Sequence, residues 1–155
     1  MGELHVVFGT GPLGKLVGEE LLKRGKTVRM VNRSGNNSLV GVETVAGDAF
    51  SLDFTRRVTE DAAVVYQCAQ PAYHRWAEQF PALQQSILEG AVASRAKLVI
   101  ADNLYMYGDP NGQTLHEDSP QNPHTKQGTQ SHGRCRSSSS SSRQKATRRK
   151  TIRGP

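Results

Sequence analysis

Between Leu4 and Asp102, short β-branched runs alternate with stretches of helical spacing, and this alternation constrains the fold more than any other feature of the sequence. LHVVF (4–8), TVRMVN (27–32), VETVAG (42–47), AAVVYQ (62–67) and KLVIAD (97–102) read as five strands. Pro12 to Arg24 places Leu13, Leu16, Val17, Leu21 and Leu22 at helical spacing, with Gly25 as a stop signal. Residues 51–61 suit a short helix with Ser51 as N-cap. A longer helix is expected over 73–94, with Trp76, Phe80, Leu83, Ile87 and Leu88 along one face and Pro81 kinking or dividing it. Strands separated by helices require crossover connections, so the expected architecture is α/β: a doubly wound parallel sheet of about five strands with helices on both faces.

The turn after the first strand carries Gly9-Thr10-Gly11-Pro12-Leu13-Gly14, which fits G-x-G-x-x-G and lies between a strand and a helix, where the pattern has meaning. Gly9 permits a tight turn, Gly11 lets the backbone approach a pyrophosphate, and Gly14 allows close packing of helix on strand. Pro12 suits the first helical turn, where a missing N–H costs little. The free amides and positive end of that helix would then face an anion. A Rossmann-type sheet binding a dinucleotide is therefore expected. The alternative is a strand-to-helix turn that holds nothing.

The end of the second strand bears on which dinucleotide. A carboxylate about 20 residues beyond the glycines would accept the ribose hydroxyls of NAD. Here the positions are Asn32, Arg33 and Ser34, with no acid. Arg33 can pair with a 2′-phosphate through charge-assisted hydrogen bonds and Ser34 can add a donor, so NADP is favoured, with NAD as the alternative. Arg33 as an ordinary solvated loop residue is the competing reading.

Several ordered stretches resemble one family. FGTGPLG, NRSG, GDAFS after the third strand, and IADNLYMYGDPNGQTLHEDSPQNP are together similar to the NAD-dependent epimerase/dehydratase group of the extended and atypical short-chain dehydrogenase/reductases. The resemblance spans residues 4 to 128. It implies a Rossmann fold with NAD(P) across the carboxyl ends of the strands. It also implies that Asp48 and Ala49 contact adenine, and that Cys68, Ala69 and Gln70 form the loop beside the ribose and nicotinamide. Without it, Asp48 is equally a turn or capping residue and Cys68 a small buried apolar one.

The catalytic set implied by the resemblance is a Tyr acid/base, a Lys four residues later that lowers its pKa, and a Ser or Thr that orients the substrate carbonyl. At the Ser position stands Asn103. If Lys126 is the motif lysine, the Tyr position holds Asn122, which is no acid near neutral pH. Tyr107 is a structural landmark by the same resemblance. Asn103, Tyr107 and Lys126 are thus candidates without forming a complete set. His116, Glu117, Asp118 and His124 fall in a proline-punctuated loop and read as solvated surface; no metal site is expected. Three functions stay in play: an NADP-dependent oxidoreductase or epimerase/dehydratase-like enzyme, a non-catalytic NAD(P)-sensing module, and a nucleic-acid binder. No motif assigns a substrate or an oligomeric state.

Charge divides the chain in two. Of 20 basic and 14 acidic residues, nine basic and no acidic ones lie from Lys126 onward, so residues 1–125 carry a net charge of −3. The first part, 1–128, is expected to be a partial dinucleotide-binding domain. Residues 129–155, with six consecutive serines and a basic run, lack apolar periodicity and are expected to be a disordered tail. A basic tail could meet nucleic acid through phosphates. Interleaved aromatics for base stacking are missing, which argues against that partner. The N-terminus lacks a signal-peptide pattern, no apolar run approaches the roughly 18 residues of a membrane helix, and the two cysteines have no metal-ligand spacing. A cytoplasmic protein without a membrane partner is expected.

The serine run has a second reading. Tandem AGC serine codons become GCA, alanine, in a frame shifted by one base, and the family continues at this point with an Ala-rich helix, a further strand and a substrate lobe. The chain is then truncated relative to the family. Translating the coding DNA downstream of the Lys126 codon in all frames tests this: a family-like continuation is expected in a shifted frame, and its absence from every frame removes the idea.

Overall fold

The computed structural model describes residues 2–102, 104, 107–116, 118–120, 122 and 123. Five strands, β1 (Leu4–Phe8), β2 (Thr27–Asn32), β3 (Glu43–Ala46), β4 (Ala62–Gln67) and β5 (Lys97–Ile100), form one parallel sheet in the order β3-β2-β1-β4-β5. Helix α1 (Pro12–Lys23) joins β1 to β2, α2 (Leu52–Val58) joins β3 to β4, and α3 (Trp76–Ala93) joins β4 to β5 after a short 3₁₀ turn at Tyr73–Arg75. This is the expected Rossmann-type α/β fold.

The strands are apolar throughout because both faces of the sheet are covered. On one face, Val7, Val28 and Met30 pack with Leu21 of α1; on the other, Val6, Phe8, Val31 and Val65 pack with Val58 of α2 and Leu83, Ile87 and Ala91 of α3. The connections β1-α1-β2 and β4-α3-β5 run outward in opposite directions with their helices on opposite faces, so both keep one hand. The direction of travel reverses between β1 and β4, and a crevice opens there at the carboxyl ends of the strands.

Three local expectations are refined. Ser51 caps α2 as anticipated, its hydroxyl accepting the Phe54 N–H at 3.4 Å. Pro81 does not divide α3, which is continuous from Trp76 to Ala93. It sits in the second turn, where the bond it removes would end on Ala77, an exposed residue. The face of α1 differs from the leucine pattern: Leu13 and Leu16 are 49% and 62% exposed, and the buried positions are Gly14, Gly18 and Leu21. The helix meets the sheet along its glycines because a Cβ at Gly18 would lie 2.9 Å from Leu39 and 3.2 Å from the Met30 sulfur.

The described residues from Leu104 onward belong to a second compact unit. The tail reading for 129–155 lies outside the described residues, as do Asn103, Glu117, His124 and Lys126. Among the described residues no helix is long and apolar enough to cross a membrane.

One buried titratable group makes the stability of the fold depend on pH. His5 on β1 is 5% exposed, its Nδ1 lies 3.2 Å from the Tyr66 hydroxyl, and its buried Nε2 has no hydrogen-bond partner among the described residues. Burial, reinforced by Lys26 and only partly opposed by Glu3, lowers its pKa below the ordinary value of 6.5. The unfolded chain therefore binds this proton more readily than the folded one. The stabilising contribution is complete above about pH 6.5 and declines as pH falls from there toward the lowered folded value. Urea melts between pH 7.5 and 5 should show this decline in wild type, and a flatter profile over the same range in His5→Phe.

Candidate dinucleotide site

Three turns meet at the reversal between β1 and β4, and main-chain bonds tie them together. Gly9 N–H donates to the Val31 carbonyl at 2.8 Å, Cys68 N–H to Phe8 at 2.9 Å, and Gly47 N–H to Asn32 at 2.9 Å. The resulting crevice is a cavity of about 800 Å³, within the 300–1,000 Å³ typical of ligand pockets.

The expected cofactor residues gather here. From the glycine turn come Gly9, Thr10, Gly11 and Leu13; from the end of β2, Asn32 and Arg33; from the turn after β3, Asp48 and Ala49; from the turn after β4, Cys68, Ala69 and Gln70. Three expected residues do not line it. Pro12 is the first residue of α1, Gly14 is buried beneath the turn, and Ser34 bonds back to Asn32.

The three glycines stand for different physical reasons. Gly9 has φ +103°, and a Cβ there would lie 2.8 Å from the Ala69 nitrogen. A Cβ on Gly14 would overlap the Gly9 carbonyl oxygen. Both are required by the fold. Gly11 is not: its φ of −69° and ψ of −177° suit any residue, and a Cβ there would meet no atom within 4 Å. It is the N-cap of α1 and no side chain caps the helix, so the first-turn amides are left to solvent or a ligand.

Asn32 turns inward. Its Nδ2 donates to Thr10 Oγ1 at 2.9 Å and to the Asn36 carbonyl at 2.7 Å, while its Oδ1 accepts the Ser34 and Gly35 N–H groups at 3.0 and 2.6 Å. It clamps the β2 loop to the glycine turn, which leaves Arg33 as the charged group at this end of the cavity. Asp48 Oδ1 accepts the Phe50 N–H at 3.0 Å, so the turn role engages one carboxylate oxygen. Gln70 Nε2 donates to the Ala101 carbonyl at 3.4 Å. Burial raises the pKa of the half-buried Cys68 thiol, which favours its neutral form.

Of the catalytic candidates, Asn103 and Lys126 lie outside the described residues. Tyr107 belongs to the second unit, where its N–H donates to the Leu104 carbonyl at 3.1 Å. Sequence reasoning missed the far wall: Phe50 and, after β4, His74, Arg75 and Gln79. Their signal was topological. A segment following the strand next to β1, with its helix on the opposite face, must pass the crevice.

The likeness to solved structures lies in this fold. UDP-N-acetylglucosamine 4-epimerase from Bacillus cereus aligns at a TM-score of 0.76 with 20% identity, covering 94% of this chain and 50% of that one. UDP-glucose 4-epimerase from Brucella ovis, solved with NAD, aligns at 0.73 with 19% identity over 88% and 46%. The enzyme WbmG from Bordetella bronchiseptica, solved with NAD and UDP, aligns at 0.68 with 19% identity over 84% and 47%. The chain thus spans about half the length of these structures. No protein-family model and no curated protein matches the sequence.

The two fold-required glycines can be tested without any ligand. Gly14→Ala forces a carbon into a main-chain carbonyl, and Gly9→Ala adds strain at positive φ. Each should lower stability by about 1–3 kcal/mol in urea or thermal melts.

Proposed function

We propose that this chain binds a nicotinamide dinucleotide in the β1/β4 crevice, with the pyrophosphate against the first-turn amides of α1, and that it prefers NADP. The carrying observation is Gly11. Neither its dihedrals nor its surroundings call for glycine, and the open space beside it is what close approach of a phosphate needs. Arg33 supports the preference: it lines the cavity and no carboxylate occupies the β2 terminus. Two structural neighbours with the same fold were solved with NAD, which supports a nicotinamide dinucleotide in general.

In this reading Gly11 and the α1 amides hold the pyrophosphate, Arg33 the 2′-phosphate with Ser34 close by in the same loop, and Asp48 and Ala49 the adenine. Cys68, Ala69 and Gln70 flank the nicotinamide end. The bound cofactor supplies hydride exchange, and the reaction class is that of an oxidoreductase or of an epimerase/dehydratase acting on a small-molecule substrate. A non-catalytic NAD(P)-sensing role is the second reading, favoured by one observation: among the described residues lining the cavity there is neither a Tyr nor a Lys. Hydride transfer to a carbonyl substrate separates the two.

Calorimetric titration with NADPH and NADH tests the binding claim. Gly11→Val should abolish binding of both while lowering the thermal midpoint only slightly, because its side chain enters empty space and the remaining cost is that of a poorer helix N-cap. Arg33→Glu should weaken NADPH by about tenfold or more and leave NADH nearly unaffected. Wild-type protein that binds neither at millimolar concentration would overturn the proposal.

A further inference from the structure

The cavity is cationic in a protein body that is not. Residues 1–125 are net acidic, yet the described cavity lining carries Arg33 and Arg75 against a single acid, Asp48. Outside the cavity, four of the described arginines are engaged, and Arg95, on the turn before β5, has no ion pair or ring contact among the described residues. Arg24 pairs with Glu20 at 2.8 Å, Arg29 with Glu43 at 2.8 Å and Arg56 with Glu89 at 3.6 Å. Arg57 lies over the Phe54 ring at 5.9 Å. Among the described residues Arg33 and Arg75 have no such partner.

Arg75 also stands on a built wall. Its own N–H donates to the Ala72 carbonyl at 2.8 Å, and the Trp76 indole N–H donates to Pro71 at 2.9 Å. Tyr73, Trp76 and Phe80 then follow one another as tilted ring pairs at 5.4 and 5.6 Å between centroids. The turn is fixed by bonds that leave the guanidinium uncommitted. Its position follows from topology. The glycine turn feeds α1 on one face of the sheet, and residues 71–75 feed α3 on the other. The two segments therefore approach the crevice from opposite sides, and both line it.

Resting on the dinucleotide reading above, we infer that Arg75 is a second ligand for the pyrophosphate, reaching it from the wall that faces the glycine turn. The α1 amides supply neutral donors on one side and Arg75 a charged fork on the other, while Arg33 serves the 2′-phosphate. A guanidinium fork suits two phosphate oxygens at once.

Titration of the full 155-residue chain with NADH and NADPH, for wild type, Arg75→Ala and Arg75→Lys, tests the inference. Arg75→Ala should weaken both dinucleotides by the same factor, about tenfold, with an unchanged thermal midpoint because the side chain is exposed. Arg75→Lys should restore part of the loss, since it keeps the charge but not the fork. Wild-type affinity for both dinucleotides in Arg75→Ala overturns the inference and leaves the dinucleotide reading standing. A loss confined to NADPH also overturns it, by assigning Arg75 to the 2′-phosphate. If wild type binds neither dinucleotide, the underlying reading fails and the inference falls with it.

Discussion

The site depends on one close approach. Gly14 lies directly beneath the carbonyl of Gly9, with no space for a side-chain carbon between them. That contact starts α1 immediately over the carboxyl end of β1. The positive φ of Gly9 turns the chain against the main chain of Ala69, so the ends of two neighbouring parallel strands touch backbone to backbone. A cavity floored this way is lined by peptide groups. The amides of Gly9, Gly47 and Cys68 are already used to hold the turns together, whereas the first-turn amides of α1 have no side-chain cap. The geometry that closes the turn thus also aims donors at whatever fills it.

Charge sorts along the same boundary. Most arginines of the acidic body are absorbed by local carboxylates or an aromatic face on helices and strands, and those contacts are surface pairs of small energetic consequence. The two that line the crevice have no such partner among the described residues, and they share its lining with a single carboxylate, itself half engaged by the Phe50 amide. A concave surface with excess positive charge concentrates field lines and draws anions toward it. Asn32, folded inward onto Thr10, keeps the Arg33 end of the cavity in a fixed shape.

How much of this was legible in the sequence depended on the distance over which each cause acts. The strands were readable because Val6, Val7 and Phe8, or Val28, Met30 and Val31, are buried on both faces, and burial on both faces leaves an unbroken apolar run. The cap at Ser51 was readable because it is satisfied three residues away. The seating of α1 was not. Leucines at helical spacing pointed to one face, but the sheet is approached along Gly14 and Gly18, and that choice is made by Met30 and Leu39 on other elements. Asn32 stood at the right place for a ribose contact, yet its side chain is committed to Thr10 and to its own loop, a partnership separated by 22 residues. Arg75 falls inside the helix expected over 73–94, and only the strand order, with β4 beside β1, brings it to the crevice.

Binding and proton transfer make different demands on the groups that line a cavity. Affinity for phosphates arises from main-chain amides and guanidinium groups, which hold their character over the whole physiological pH range. Acid/base work needs a group whose pKa lies near the working pH, within hydrogen-bond reach of the reacting atom. Burial holds the Cys68 thiol protonated, moving it away from that role. The Tyr–Lys pair implied by the family resemblance has no member among the described residues that line the crevice. In the proposed reading, the segment from Gly9 to Gln79 can therefore retain a dinucleotide whatever stands at the Ser, Tyr and Lys positions further along. Loss of catalysis through Asn103 or Asn122 would then leave a competent nucleotide receptor, because the groups that bind and the groups that transfer a proton are drawn from different stretches of the chain.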